Sequence, residues 1–398
     1  MNNVLNLFKG VGVIVDDDLR IRPGRVDQTN KKHFIWKIEK SFKSKNIPLL
    51  LYSELPDDQQ IQNFCSISFL LLDWDLIGLE DGTGLPDAAI KDNIEFIKQF
   101  NKVCFAPVFI FSNEDTDYIK SELINAGLYD NSKSNHIFVE SKSNLKQSRT
   151  LFNKIKKWIE KTPSLYVLKE WEQSLFQAKH DLFWDFYITN PMWANILKQT
   201  FQSDGVDENH ELGALLYKNL IARTTPVTFN EAVLKPTRHK ATKEDLRKVL
   251  ECERYLKNDK IPDIPAIGDI FKENSSYYIN IRPDCDIVRK GDNVKLYCLK
   301  GSVIKEQHIN AKKKSSKIIF EKGTFIEKAY NTYVSFVDDG KIIEFKFNDN
   351  NLIQEEWKNL KDKRIGRLLP PYITRLQQKY AFYLQRQGLP AIPYKAIK

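Results

Sequence analysis

The sequence predicts a multidomain chain. It has an α/β doubly wound domain at the N-terminus, a helical middle domain, and a small C-terminal β-barrel with a terminal helix. Three observations carry this. Short apolar runs alternate with helix-compatible segments over the first third of the chain. Proline-started segments of helical periodicity follow. After Pro262 the pattern changes to short β-rich runs separated by turn residues. A length of 398 residues exceeds one ordinary core, so two or three domains are expected.

The N-terminal domain, residues 1–148, is organised around Ile67-Ser68-Phe69-Leu70-Leu71-Leu72, which runs straight into Asp73-Trp74-Asp75. A continuous apolar run of this length reads as a strand buried on both faces of a parallel sheet. Val11-Gly12-Val13-Ile14-Val15 is another such run, and Asp16-Asp17-Asp18 follow it at once. Adjacent carboxylates repel unless a cation neutralises them, and oxygen-only ligands suit a hard ion such as Mg²⁺. Val108-Phe109-Ile110-Phe111 ends in Ser112, and His136-Ile137-Phe138-Val139 is followed by Glu140, Ser141 and Lys142. Helical segments are expected near 33–45, 87–100 and 116–125. In such sheets, polar groups at the carboxyl ends of strands are where ligands bind.

The order of acid cluster, lone aspartate, hydroxyl and lysine at successive strand ends resembles the flavodoxin-like receiver domain of two-component response regulators, over residues 8–145. The resemblance implies a phosphoacceptor at Asp73. It implies Mg²⁺ held by Asp16, Asp17, Asp73 and the backbone carbonyl of Asp75, with Ser112 and Lys142 as switch residues. It also implies a histidine kinase or kinase-like ATPase as partner. After the fifth strand the chain departs from the receiver pattern: Lys142 comes late and no proline follows it. Residues 76–87 form a Gly-rich, acidic insertion. The whole arrangement resembles bacterial receiver-like proteins encoded near phage-defence systems, which implies a place in antiviral defence.

The middle domain, residues 149–260, opens on a basic amphipathic segment with Leu151, Ile155, Trp158 and Ile159 on one stripe. Thr162-Pro163 and Asn190-Pro191 read as helix starts, with a capping residue and proline at the first helical position. Thr242 with Asp245 approximates a capping box. Residues 261–350 hold five or six short strands and predict a small antiparallel barrel. The stretch from Gly268 to Asp286 resembles the SH3-like barrels of toxin endoribonucleases. The tail, residues 351–398, is basic and aromatic. Arg364, Arg367, Arg375, Lys379 and Arg386 interleave with Tyr372, Tyr380, Phe382 and Tyr383, which suits a phosphate backbone. A helix packed on the barrel by Ile373, Leu376, Tyr380 and Tyr383 explains the same spacing.

Charge and composition bound the function. The net charge is +9, unevenly spread. Residues 1–150 hold 18 basic and 21 acidic side chains, whereas the remainder holds 43 and 31. A basic rear half suggests an anionic partner, nucleic acid or acidic protein. No run of 18 apolar residues occurs and no signal-peptide core opens the chain, so a cytoplasmic protein without membrane contact is expected. Five cysteines without a Cys-x-x-Cys pair, and six scattered histidines, argue against zinc. The expectation is a phosphoacceptor rather than a catalyst, its rear domains the output. The alternative is a receiver-like scaffold that binds a partner without reacting. The outsider is a nuclease using Glu140-Ser141-Lys142.

Overall fold

The computed structural model describes residues 8–20, 34–77, 85–145, 148–235, 241–287, 293–304, 318–321, 324–327, 331–337, 341–348 and 351–386. Most of the Gly-rich insertion and the chain's last residues lie outside them. The chain folds as two compact units, Met1–Pro191 with Leu216–Pro236, and Met192–Leu215 with Thr237–Lys398. The segment expected as one helical domain is therefore shared between them.

The first unit is built on a five-stranded parallel sheet of order β2-β1-β3-β4-β5. Its strands are β1 (Gly12–Val15), β2 (Leu49–Tyr52), β3 (Phe69–Leu72), β4 (Val108–Ser112) and β5 (Ile137–Ser141). Side chains alternate between the two faces, as strand geometry requires. Val13, Val15, Leu70, Leu72, Val108 and Ile110 enter one core. Ile14, Phe69, Leu71, Phe109 and Phe111 enter the other. Both faces are covered, which is why these strands read as unbroken apolar runs.

Helices α2 (Asp58–Gln62), α3 (Asp87–Val103) and α4 (Thr116–Asn125) cover the first face with Ile61, Ile90, Phe96, Ile97, Phe100, Ile119 and Leu123. Helix α1 (Phe34–Lys43) and helix α5 (Ser148–Ile159) cover the second with Ile35, Ile38, Phe42, Leu151, Ile155 and Ile159. The apolar stripe of the basic segment read after residue 145 thus completes the parallel-sheet unit. Helix α6 (Pro163–Thr189) continues it, burying Leu165, Tyr166 and Lys169 near its start. Thr162 precedes α6 as expected, but its hydroxyl donates back to the Trp158 and Ile159 carbonyls and caps nothing. The Asn190-Pro191 signal falls just short of α7 (Trp193–Ser203).

Helix α8 spans Glu208–Arg223, and α9 (Lys243–Arg254) carries the Thr242–Asp245 capping box. In the second unit a curled antiparallel sheet, a half-barrel, follows the order β12-β13-β9-β8-β7-β15-β6, with β14 also paired to β9. The strands are β6 (Tyr255–Lys257), β7 (Asp269–Glu273), β8 (Ser276–Asn280), β9 (Lys295–Val303), β12 (Thr332–Val337), β13 (Lys341–Lys346), β14 (Leu352–Glu356) and β15 (Arg364–Leu368). A separate hairpin pairs β10 (Ile318–Glu321) with β11 (Thr324–Glu327). Two strands, β14 and β15, come from the stretch read as a helical tail. The expected helix follows them as Tyr372–Gln385, burying Ile373, Leu376 and Tyr383.

Gly12 fixes the close fit at the centre of the first unit. A Cβ there would lie 2.1 Å from the Phe69 ring, which stacks on Phe42 with centroids 4.9 Å apart. Gly12→Ala is expected to destabilise this unit by about 1–3 kcal/mol through overpacking. Denaturant unfolding followed by circular dichroism measures it, and Phe69→Leu in the same chain should recover part of the loss.

Candidate metal and phosphoacceptor site

Strand register builds the site. Val15 pairs with Leu72, so the next residues, Asp16 and Asp73, leave the carboxyl ends of adjacent strands together. The chain order reverses here, because β1 lies between β2 and β3, and ligands bind at such a switch point. Backbone bonds hold both acids in place: Asp16 N donates to Tyr52 O at 3.0 Å, and Asp73 N to Val15 O at 2.9 Å. Asp17 opens a short 3₁₀ turn, Asp17–Arg20. One carboxylate oxygen from each of Asp16, Asp17 and Asp73 lies within 4.8 Å of the others.

Lys142 arrives from the turn after β5. Its ammonium donates to Asp73 Oδ2 and stands 3.6 Å from Asp16 Oδ2. On the other side it lies over the Phe34 ring, 5.7 Å from the centroid. Asp73 Oδ1 accepts from the Asp75 amide at 3.3 Å, and Asp16 Oδ1 from the Asp18 amide at 3.1 Å. Asp16 Oδ2 is buried and accepts no hydrogen bond.

Asp16 and Asp73 are 1 % and 3 % exposed, and this decides their electrostatics. Burial, opposed by Lys142, pushes Asp16 up to about 6. Burial likewise raises Asp73, to about 8, and again Lys142 opposes it. Burial also raises Asp17, helped by Asp18. For Lys142, burial works against the charge, but Asp73 and Asp16 outweigh it and hold the ammonium above its ordinary value. These directions are compatible because three carboxylates share one ammonium. When all are ionised, two negative charges are in excess, the charge of one divalent ion.

The donor set fits such an ion. It consists of oxygens alone, which suits Mg²⁺ or Ca²⁺. Two oxygens on one Mg²⁺ lie at most about 4.2 Å apart, twice the bond length. The three oxygens, all within 4.8 Å of one another, would draw closer to share one ion, and Asp16 Oδ2 is a buried oxygen that accepts no hydrogen bond.

The other sequence candidates divide. Ser112 ends β4 fully buried, and its hydroxyl accepts from the Glu114 amide at 3.1 Å. Glu140 turns away from the cluster: its carboxylate takes Lys154 at 2.6 Å and Asn144 at 2.8 Å. That clamp ties both ends of the Lys142 turn to α5. In the second unit, Arg364 is 5 % exposed. Its guanidinium bonds Asn258 Oδ1, Ile264 O and Pro262 O, pairs with Asp269 at 3.5 Å and lies over Trp357. Arg367 also pairs with Asp269, at 2.6 Å. Lys379 donates to Thr332 O, and Arg386 stacks on Tyr383, while Arg375 is exposed. Internal partners thus take up much of the cationic series read as a phosphate contact.

Sequence reading missed three contributors. Phe34 sits under Lys142, the Glu140–Lys154 pair anchors its turn, and buried Asn93 on α3 donates to Trp74 O at 2.7 Å, fixing the loop between Asp73 and Asp75. Glu140 was read only as a strand-end acid, and nothing in the local sequence marks Phe34, Asn93 or Lys154, since each acts on a partner elsewhere in the chain. No protein-family model, curated protein or solved structure matches this chain significantly. Among the described residues, no helix is long and apolar enough to cross a membrane.

The raised carboxyls set a pH dependence. An acid held above its unfolded value, 3.8 here, contributes its stability below that value and loses it as pH climbs through the folded value. Without divalent ions, stability should therefore fall from pH 4 through pH 6–8. Thermal unfolding in chelator over this range tests it. Asp16→Asn, which removes one buried charge, should flatten the slope and raise Tm at pH 8 by about 2–4 °C.

Proposed function

We propose that the first unit is a receiver-like switch in which Asp73 accepts a phosphoryl group beside a bound Mg²⁺. The observation that carries this reading is the meeting of Asp16, Asp17, Asp73 and Lys142 at one sheet end. Asp16, Asp17 and Asp73 would hold the ion, joined by the Asp75 carbonyl. The ion, when bound, offsets the excess carboxylate charge and draws in phosphoryl oxygens.

The chain's own residues do the rest. An Asp73 carboxylate oxygen forms the bond to phosphorus as the donor's bond breaks and the leaving group departs with its electron pair. Phosphorylation adds roughly −1.5 to −2 charge beside existing acids, by analogy with phosphorylated hydroxyls. Lys142, held charged, is the cation placed to meet it. Ser112, at the next strand end, is the hydroxyl within the same layer. Movement of Lys142 toward the phosphoryl group would pull on the turn that Glu140 ties to α5 through Lys154, and α5 shares with α1 the cover of one sheet face. The donor in this reading is a histidine kinase or kinase-like ATPase. The second unit is the output, in keeping with a role in antiviral defence.

Incubation with acetyl phosphate and Mg²⁺, followed by intact mass, tests the reading. One labile phosphoryl adduct is expected on the wild type and none on Asp73→Asn. Lys142→Ala should lower the yield about tenfold or more, the worth of a hydrogen bond to a charged group. An adduct that survives Asp73→Asn identifies the wrong acid. If neither acetyl phosphate nor beryllofluoride with Mg²⁺ alters the protein, the unit is a non-reacting scaffold.

A further inference from the structure

Helix α6 changes its surroundings along its length. Near its start, Leu165, Tyr166 and Lys169 are buried in the first unit. Stepping seven residues from Lys169 reaches Phe176 and then Phe183, on nearly the same face of a 3.6-residue helix. With His180 and Tyr187 this gives Phe176, His180, Phe183, Tyr187, a spacing of four, three and four. That is the spacing of a seam by which one helix packs on another. Here the seam is bare. Phe183 is 59 % exposed, Trp184 51 %, Tyr187 64 % and Ile188 72 %, and Phe176 is 37 % exposed. The opposite side of the same turns is covered, with Ala178 and Leu182 at 2 % each.

The bare face is organised. Trp184 meets Tyr187 edge-on at 5.8 Å and His180 at 6.4 Å. Its flanking charges turn to neighbours on their own unit: Asp181 to Gln177 at 2.8 Å, Asp185 to Arg223 at 2.9 Å, and Lys179 to the Phe176 ring. This leaves aromatic surface with little competing charge, the composition of an interface centre rather than of solvent-facing surface.

We infer that this seam on α6 is a docking surface for a second copy of the same chain, with the two α6 helices crossing face to face. Size and pattern favour this occupant. Aromatic side chains carry about 150–250 Å² each, so the exposed fractions sum to roughly 500 Å² per copy. Two copies then bury about 1,000 Å², the threshold of a specific interface. The helical spacing calls for a helix opposite, and α6 itself supplies one about 40 Å long at 1.5 Å per residue.

Analytical ultracentrifugation of the full chain from about 1 to about 100 μM tests this, across the range where modest interfaces dissociate. A concentration-dependent dimer is expected. Phe183→Glu with Tyr187→Glu, which sets like charges against each other in either crossing direction, should weaken it at least about 100-fold with unchanged far-ultraviolet circular dichroism, because both positions are exposed. Phe183→Cys, in a chain whose exposed Cys65, Cys252 and Cys285 are replaced by serine, should give a disulfide-linked dimer under mild oxidation. A chain that stays monomeric throughout, or a dimer that survives the double substitution, overturns the proposal.

Discussion

The acidic site of the first unit is organised by the contact between one buried ammonium and the buried carboxylates it serves. Lys142 reaches Asp73 and stands beside Asp16, at the ends of strands that are otherwise wholly apolar. Taking such charges out of water costs several kcal/mol per ion, and the attraction repays this only when the geometry is good. One ammonium against three acids does not repay it fully. The surplus is held because the strands on either side are fixed by packing that has nothing to do with the charges. The aromatic cluster of Phe8, Phe42, Phe69 and Phe109 and the close approach at Gly12 secure β1 against β3. Apolar packing thus supports an electrostatic arrangement that would not form alone. Such stored cost is common at functional sites.

This division explains what was legible in the sequence. The acids were visible because a parallel strand buried on both faces leaves a sharp boundary where its apolar run meets a charged group, as Leu72 meets Asp73. Their meeting follows from β1 lying beside β3 in the sheet, whereas the alternation of runs and helices predicts only a doubly wound parallel sheet. Helix α4 was readable to its ends. The edge strand Leu49–Tyr52 was not read as a strand, since half of its surface stays open and four residues give little pattern. The half-barrel was harder. Antiparallel strands find partners far away in sequence: β15 lies between β6 and β7, and β9 takes β8 along one edge and β13 and β14 along the other. Local composition cannot supply that pairing.

The arginines of the tail show the same limit. Arg364 and Arg367 stand in a basic, aromatic stretch, and by composition alone they suit a phosphate backbone. In the fold both turn to the buried Asp269, whose carboxylate also takes the Ala266 amide at 2.8 Å. A charge in sequence is an available partner only when nothing inside the molecule has claimed it. Lys142 is the opposite case: its place in the order of strand ends already marked it as a switch residue, and the fold brings its ammonium to the acids.

The central claim is that three strand-end carboxylates form one divalent-ion site balanced by Lys142. Titration with Mn²⁺, followed by the loss of its free-ion electron paramagnetic resonance signal, measures it directly. One saturable site per chain is expected, displaced by Mg²⁺ and weakened at least about tenfold by Asp16→Asn or Asp73→Asn, as the loss of a ligand charge implies. Affinity should rise with pH as the raised carboxyls give up their protons. Binding that neither substitution alters, or no binding at any pH between 6 and 8.5, would contradict it.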